Sequence, residues 1–435
     1  FTPLREDVVY SYGEDWAQPF ELKKLRDGDD TVNSIVTNGP FQVKQWTKDG
    51  IVLERSSYYR NLGVEEKYTK YVTPYRIILN FTEDLDTQLA KKDATDSTKM
   101  FYFGKFTKDG YTAEQKNIKS FANGSAYTYY FNANNKVLAD ARVRKALSMA
   151  LDRNEIVSIV GGGVTAATGF VPPRVKADAK GKTDYRSKAA DVINTSASLD
   201  GAKALLNEAG VKKGNLTITI RSDREWEREV AEYAAKVWGE LGFTVKINDK
   251  LSVKSTKKSE ISEFETALAT GDFDIIGFDY CALSEDAYSF LVPYASEFSG
   301  SVVPVDDDVD PVSPHITGFA DAEYDALIKG EYTYDESGEL TSCTGILGAK
   351  NADERFSLYT QAESMLAEKA PSAPLFFGSN DTLTISGLSN VSYNYLGAPV
   401  FTKATLKNYE KYKTSETGTT TKANNAAQDT TEAAE

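Results

Sequence analysis

Between Ala202 and Tyr280 the chain alternates helix-period and strand-period segments, and that rhythm leaves few architectures open. Ala202, Leu205, Leu206 and Ala209 share one helical stripe that Gly210 ends, and Leu216 to Ile220 is a run of strand formers. Ser222-Asp223-Arg224-Glu225 has the spacing of a capping box. Behind it Trp226, Val230, Tyr233, Ala234, Val237, Trp238 and Leu241 recur at helical intervals up to Gly242. Phe243 to Ile247 reads as the next strand, Ile261 to Ala269 as a helix and Phe273 to Tyr280 as a further strand. Strands that alternate with helices in this way pair in parallel and are covered by those helices, so the fold class is α/β.

The stretch from Tyr127 to Pro173 adds a second constraint. Tyr127, Tyr129 and Phe131 alternate with Thr128 and Tyr130, a period-2 pattern. Asp140 sits where a helix N-cap belongs, and Val143, Ala146, Leu147, Ala150 and Leu151 follow at helical spacing, with Arg142, Arg144 and Lys145 mostly off that stripe. Upstream, Phe41 to Trp46, Ile51 to Arg55 and Arg76 to Phe81 are strand-like, with Lys48-Asp49-Gly50 as a turn, and Asp84 to Lys91 reads as a short helix. Downstream, the acidic Val305 to His315 and the Gly/Ser/Thr-rich Tyr334 to Lys350 read as loop insertions ahead of a helix over Asp353 to Lys369. Lys413 to Glu435 lacks any periodicity and reads as a disordered tail.

Composition excludes more than it identifies. A chain of 435 residues exceeds what one core usually fills, and a net charge of -14 argues against nucleic acid or an anionic membrane surface as partner. No apolar run approaches the roughly 20 residues that span a bilayer. Cys281 and Cys343 are too few for a disulfide scaffold, lack metal-ligand spacing, and are expected to stay unpaired. Gly161-Gly162-Gly163 follows a helix instead of opening one, and Gly181-Lys182-Thr183 has Lys176 where a phosphate loop needs glycine. Asp306-Asp307-Asp308 with Asp310 lacks the glycine and terminal glutamate of a calcium loop. His315 has no nucleophile motif to serve. Neither a cofactor nor a metal is expected.

Three segments carry a family resemblance. Asp140 to Arg153 resembles a "D-x-R-V-R-x-A-L-x-x-A-x-D-R" signature; Asn38-Gly39-Pro40-Phe41, Trp46 and Ile51 to Arg55, with Tyr58 and Tyr59 behind, resemble a "GPF … W" hairpin; Ala370-Pro371 with Pro374-Leu375 resembles an "A-P-x-x-P" strand. All three are similar to the peptide-binding family of extracellular solute-binding proteins of ABC importers. The resemblance implies a two-lobed periplasmic-binding-protein-like fold (type II, peptide-receptor variant), with no catalysis. Residues 1–135 and 391–412 would then belong to one lobe, 136–390 to the second and 413–435 to the tail. Because the chain enters the family pattern partway through, it is expected to be the C-terminal portion of a longer receptor. The lipid anchor would lie outside it, on the surface of a Gram-positive cell or in a periplasm.

The same resemblance implies a monomeric receptor that closes over an extended peptide and hands it to permease subunits. In Asp274 to Leu291 the family pattern has a tryptophan that packs on ligand and an aspartate that pairs with the peptide's amino terminus. Anchored on Phe290-Leu291, the tryptophan position is Tyr280, the alanine Ala282, and the aspartate Leu283, so the amino-binding carboxylate is missing. An unpartnered buried ammonium costs several kcal/mol, which leaves Asp279, Glu285 or Asp286 to take over, or a ligand without a free amino terminus. Gly277 stands where some of these receptors place a ligand-binding arginine. The candidate ligand-binding set is Asp279, Tyr280, Cys281, Ala282, Leu283 and Asp286, with Tyr127, Tyr129 and Asn132 from the earlier strand. A divergent relative binding nickel, haem or an oligosaccharide is the alternative, and a hydrolase using paired carboxylates is a weaker one.

Overall fold

The computed structural model describes residues 39–56, 59, 72–81, 101–104, 118–177, 183–254, 261–282, 284–296, 317–384 and 387–407. The expected helix over Asp84 to Lys91, the acidic loop before His315 and the tail lie outside these residues. The chain divides into two compact units: one takes Phe1–Lys119, Asp381–Asn394 and Ala398–Glu435, the other Ser120–Asn380 and Tyr395–Gly397.

In the first unit, β1 (Phe41–Thr47), β2 (Gly50–Arg55) and β3 (Arg76–Asn80) form an antiparallel sheet whose tight turn pairs Thr47 with Gly50. Glu54 is held there by Arg76 at 2.5 Å and Lys44 at 3.7 Å. A further strand, β4 (Phe101–Gly104), pairs antiparallel with Asp381–Thr384.

The second unit is built on a mixed sheet. Its strands are β5 (Ile118–Phe131), β6 (Thr165–Ala166), β7 (Gly214–Thr219), β8 (Phe243–Asn248), β9 (Ile275–Cys281) and β12 (Ser372–Thr384), in the order β12-β5-β9-β7-β8 with β6 also on β12. As the helix-strand rhythm requires, β7 pairs in parallel with both β8 and β9. The strand that the Tyr127 alternation announced, β5, runs antiparallel to β9. Helices α1 (Ala141–Met149), α2 (Arg153–Val160), α4 (Leu199–Glu208) and α5 (Glu225–Glu240) share one core with Tyr127, Tyr129 and Phe131. A second core, on the other sheet face, gathers Tyr130 and Ile276 with α3 (Tyr185–Lys188), α6 (Glu263–Thr270), α7 (Tyr288–Leu291), α8 (Ala322–Lys329) and α9 (Ala352–Lys369). This unit is therefore a three-layer α/β/α arrangement.

Two local expectations are corrected. The segment Ser222 to Glu225 forms no capping box: α5 begins at Glu225 with Arg224 as an N-cap that makes no side-chain cap bond, because the Ser222 hydroxyl donates to Leu251 O and Asp223 is engaged by Arg221. The box forms instead at Ser262 and Glu265, opening α6. Within Tyr334 to Lys350, expected as loop, a hairpin forms between β10 (Tyr332–Tyr334) and β11 (Leu340–Cys343).

Arg144, placed mostly off the apolar stripe, is buried. Its guanidinium donates to the carbonyls of Leu138, Ala139, Lys369 and Ala370, and the equally buried Arg153 donates to the Pro374 carbonyl and to Ser148. Two arginines of the Asp140–Arg153 signature thus bind the main chain of the Ala370–Leu375 signature. Without a carboxylate partner, burial lowers both guanidinium pKa values to about 10, so backbone dipoles carry the compensation. At the start of α1, the Asp140 carboxylate accepts from the Arg142 N–H as expected. Asp140→Ala should lower stability by about 1 kcal/mol, checked by thermal unfolding. No change would mean that Arg142 alone holds this helix start.

Candidate functional site

Beyond the end of β7 at Thr219, β9 continues with β5 as its partner, Tyr127 opposite Asp279 and Ser125 opposite Cys281. This is the carboxyl end of the parallel strands, where ligands of α/β sheets collect, and the amino end of α5 comes to the same place. Strand alternation splits the expected residues between the two faces.

On one face lie Gly277, Asp279 and Cys281 with Tyr127 and Tyr129. Both tyrosines are fully buried: Tyr127 stacks on Phe376 at 5.3 Å and meets Trp226 edge-on at 4.8 Å, and Tyr129 packs near Trp238. A Cβ at Gly277 would collide with the Tyr127 hydroxyl and the Tyr129 ring, so this position is small because two phenols fill its space. Neither hydroxyl completes a hydrogen bond.

Arg224, immediately before α5, extends its guanidinium over the Trp226 ring and bonds Asp279 Oδ2 and, at 3.1 Å, Glu227 Oε1. The second Glu227 oxygen accepts from the Arg221 N–H at 3.0 Å. Asp279 and Arg224 each keep a third of their side-chain surface in solvent, whereas Glu227 has none. Burial is the main cause that pushes the Glu227 carboxyl up to about 7, against the opposing pull of the Arg221 amide and Arg224. Burial likewise raises the Tyr127 and Tyr129 phenols, with Glu227 adding to both. Cys281 carries an exposed free thiol, and Cys343 is free as well.

On the other face Tyr280 is half-buried, its hydroxyl donating to Ser289 O at 2.8 Å and its ring set edge-on to Phe290. Ala282 is buried, and its carbonyl accepts from Tyr395. Asp286 accepts from the Tyr288 N–H at 2.9 Å and the Tyr359 hydroxyl at 2.7 Å, and Glu285 sits 4.0 Å from Lys176. Asn132 ties β5 to the α6–β9 turn, donating to the carbonyls of Gly271 and Phe273. Leu283 lies outside the described residues.

Arg224, Trp226 and Glu227 were absent from the candidate set because their spacing reads as a helix start and stripe. One signal was present: Arg221 to Glu229 carries seven charged residues in nine positions, more than a cap needs. Among the described residues no group of His, Cys, Asp and Glu is placed to hold a metal ion, and no helix is long and apolar enough to cross a membrane.

Residues 4–301 match the pattern of the bacterial extracellular solute-binding proteins, family 5 Middle. The chain is similar to the dipeptide-binding protein DppE of Bacillus subtilis (strain 168), 27% identical over 361 residues that cover 79% of this chain and 55% of that protein. It is also 27% identical over 301 residues to the periplasmic oligopeptide-binding protein OppA of Escherichia coli (strain K12), covering 67% of this chain and 48% of the relative. The chain thus spans about half the length of these curated relatives. Among solved structures, that of Listeria monocytogenes OppA bound to peptide superposes with a TM-score of 0.59 at 19% identity, covering 93% of this chain and 69% of that one. This likeness shows the expected periplasmic-binding-protein-like α/β fold.

Proposed function

The chain belongs to family 5 of the bacterial extracellular solute-binding proteins, and on that premise we propose that it acts as the substrate-binding receptor of an ABC importer, capturing peptides and delivering them to a membrane permease. The supporting observation is the carboxyl end of β9, where Arg224 and Asp279 stay partly in solvent beside the Trp226 ring, which the buried Tyr127 and Phe376 back from the interior. Charged groups there fix the ends of a ligand, while main-chain hydrogen bonds from a strand supply affinity that tolerates varied side chains. In this reading Asp279, Tyr280 and Cys281 line the ligand from β9 and Ala282 from just beyond its end. Tyr127, Tyr129, Asn132 and Asp286 act from behind, holding the strands and turns that present them.

The reading involves no bond making or breaking. It places the protein outside the cytoplasmic membrane as a monomer, held there by a lipid anchor when the cell is Gram-positive. Isothermal calorimetry of the full-length protein with a peptide library tests it: saturable heat without product is expected. Product formation would replace a receptor by an enzyme, and capture of nickel, haem or an oligosaccharide in place of any peptide would move the ligand class.

A further inference from the structure

Tyr395–Gly397 belong to the second unit and form the tip of a tight turn between the short strands Ser392–Tyr393 and Pro399–Val400. On the receptor reading above, we propose that this tip is the clasp of the ligand-facing strand end and that Tyr395 is a positioning residue. Its hydroxyl fixes the path of the chain past Cys281, and peptide affinity depends on that bond although Tyr395 itself touches no peptide.

The need for a clasp follows from the ladder. Strands β5 and β9 pair from Phe131 opposite Ile275 to Ser125 opposite Cys281, and there the pairing ends. The next residue back along β5 is Gly124, whose φ of +67° takes the chain out of extended geometry. Ala282 is therefore left without a β5 partner just beyond the candidate ligand residues of β9. A buried carbonyl needs a donor, and the Tyr395 hydroxyl, 113 positions along the chain, supplies it. Among the described residues the other hydrogen-bond neighbour of that carbonyl is the Cys281 thiol, 3.8 Å away.

The tip is itself held against three neighbouring strands. The Tyr395 ring covers Gly124, where a Cβ would stand 3.3 Å from it. The Leu396 carbonyl accepts from Asn380 Nδ2 of β12 at 2.9 Å. Gly397, at a φ of +66°, lies so close to β5 that a Cβ would stand 3.1 Å from the Phe121 carbonyl oxygen and 3.0 Å from that of Ala122. Three consecutive residues thus engage β12, β5 and the end of β9, which are adjacent in the sheet. The rest of the strand end has separate supports: Arg224 bonds Asp279, the Tyr280 hydroxyl donates to Ser289 O on the opposite face, and Cys281 pairs with Ser125. That leaves Ala282 to the clasp. Without the Tyr395 donor the strand end gains conformations that do not match an extended ligand, and apparent affinity falls with the fraction that remains competent. One neutral hydrogen bond sets that scale at roughly two- to tenfold. Because the change is in the strand and not in a group that meets the ligand, the factor should not depend on the peptide's side chains.

The test is calorimetry of the full-length protein with tri-alanine, tri-leucine and tri-lysine, alongside amide hydrogen exchange of the unliganded protein. Three forms are compared: the parent, Tyr395→Phe, and Tyr395→4-aminophenylalanine, whose amino group returns an N–H donor to the same place. Tyr395→Phe should weaken every peptide that binds the parent by one common factor of roughly two- to tenfold, and the 4-aminophenylalanine variant should recover the loss. Exchange over Asp279–Ala282 should quicken in Tyr395→Phe by a similar factor, as a local opening, while the thermal midpoint stays within about 2 °C of the parent. A lowered midpoint with unchanged affinity would make Tyr395 merely structural and overturn the proposal. A loss that differs from peptide to peptide would overturn it too, by making Tyr395 a ligand contact. Failure of every peptide to bind the parent would sink the peptide reading, whereas exchange that stays flat in Tyr395→Phe would sink the clasp by itself.

Discussion

Glu363→Ala is expected to cost about 3–5 kcal/mol of folding stability, because it strips the counter-charge from a buried arginine. Glu363 has no solvent-exposed surface, and Arg186 keeps only 8% of its own. The pair is bidentate, with both N–O distances 2.8 Å, and the same carboxylate accepts from the amides of Phe170 and Val171 and from the Tyr185 hydroxyl. A Cβ on Gly169 would collide with both members of the pair, so the loop that delivers those amides passes as close as a chain can. Truncation thus leaves one cation, two N–H groups and one hydroxyl without their acceptor.

Replacing both charges, Arg186→Met with Glu363→Leu, should recover the part of that loss due to the stranded guanidinium. The Phe170 and Val171 amides would still lack an acceptor, at about 1–3 kcal/mol each before any rearrangement, so the double variant should remain at least about 2 kcal/mol below the parent. Denaturant unfolding of the parent and the two variants checks this. A double variant as stable as the parent would show that the carboxylate serves Arg186 alone.

That network was hidden from the sequence, whereas its setting was not. Stripes such as Trp226 to Leu241 and alternations such as Tyr127 to Phe131 report which face of an element is apolar, and the structure packs those faces as expected. What periodicity cannot report is a polar group whose partner is far along the chain. Glu363 meets Arg186 across 177 positions and Arg153 meets Pro374 across 221, and nothing local marks either end. The site divides along the same line. The Asp279–Ala282 strand end was recognisable by resemblance and alternation alone separates Asp279 from Tyr280, but which face each takes, and that Tyr127 lies opposite Asp279, depends on pairing with β5. Arg224 was concealed because three charged residues beside a serine imitate a cap.

Glu227→Gln should stabilise the protein above pH 7 by roughly 3 kcal/mol and by less than about 1 kcal/mol at pH 5. The carboxyl's pKa rises from an ordinary 4.5 to about 7 on folding, chiefly because burial penalises its charge. Below about 4.5 the folded and unfolded chains both hold the proton, and the group is neutral to stability. Between 4.5 and 7 only the folded chain holds it, so stability falls as pH rises, by about 1.4 kcal/mol per pH unit. Above 7 both states are ionised and the full cost is in place. Glutamine keeps an acceptor for the Arg221 amide, offers an amide to the Tyr127 hydroxyl and carries no charge to desolvate. Urea unfolding of parent and variant at pH 5, 6, 7 and 8 measures the difference, in which the titration of all other groups, the single histidine included, cancels. A difference that does not grow with pH would mean that Arg224 and the Arg221 amide already compensate the buried charge. If it grows as expected, Glu227 is a buried carboxylate whose charge costs stability that glutamine would relieve, even with Arg224 and the Arg221 amide bonded to it.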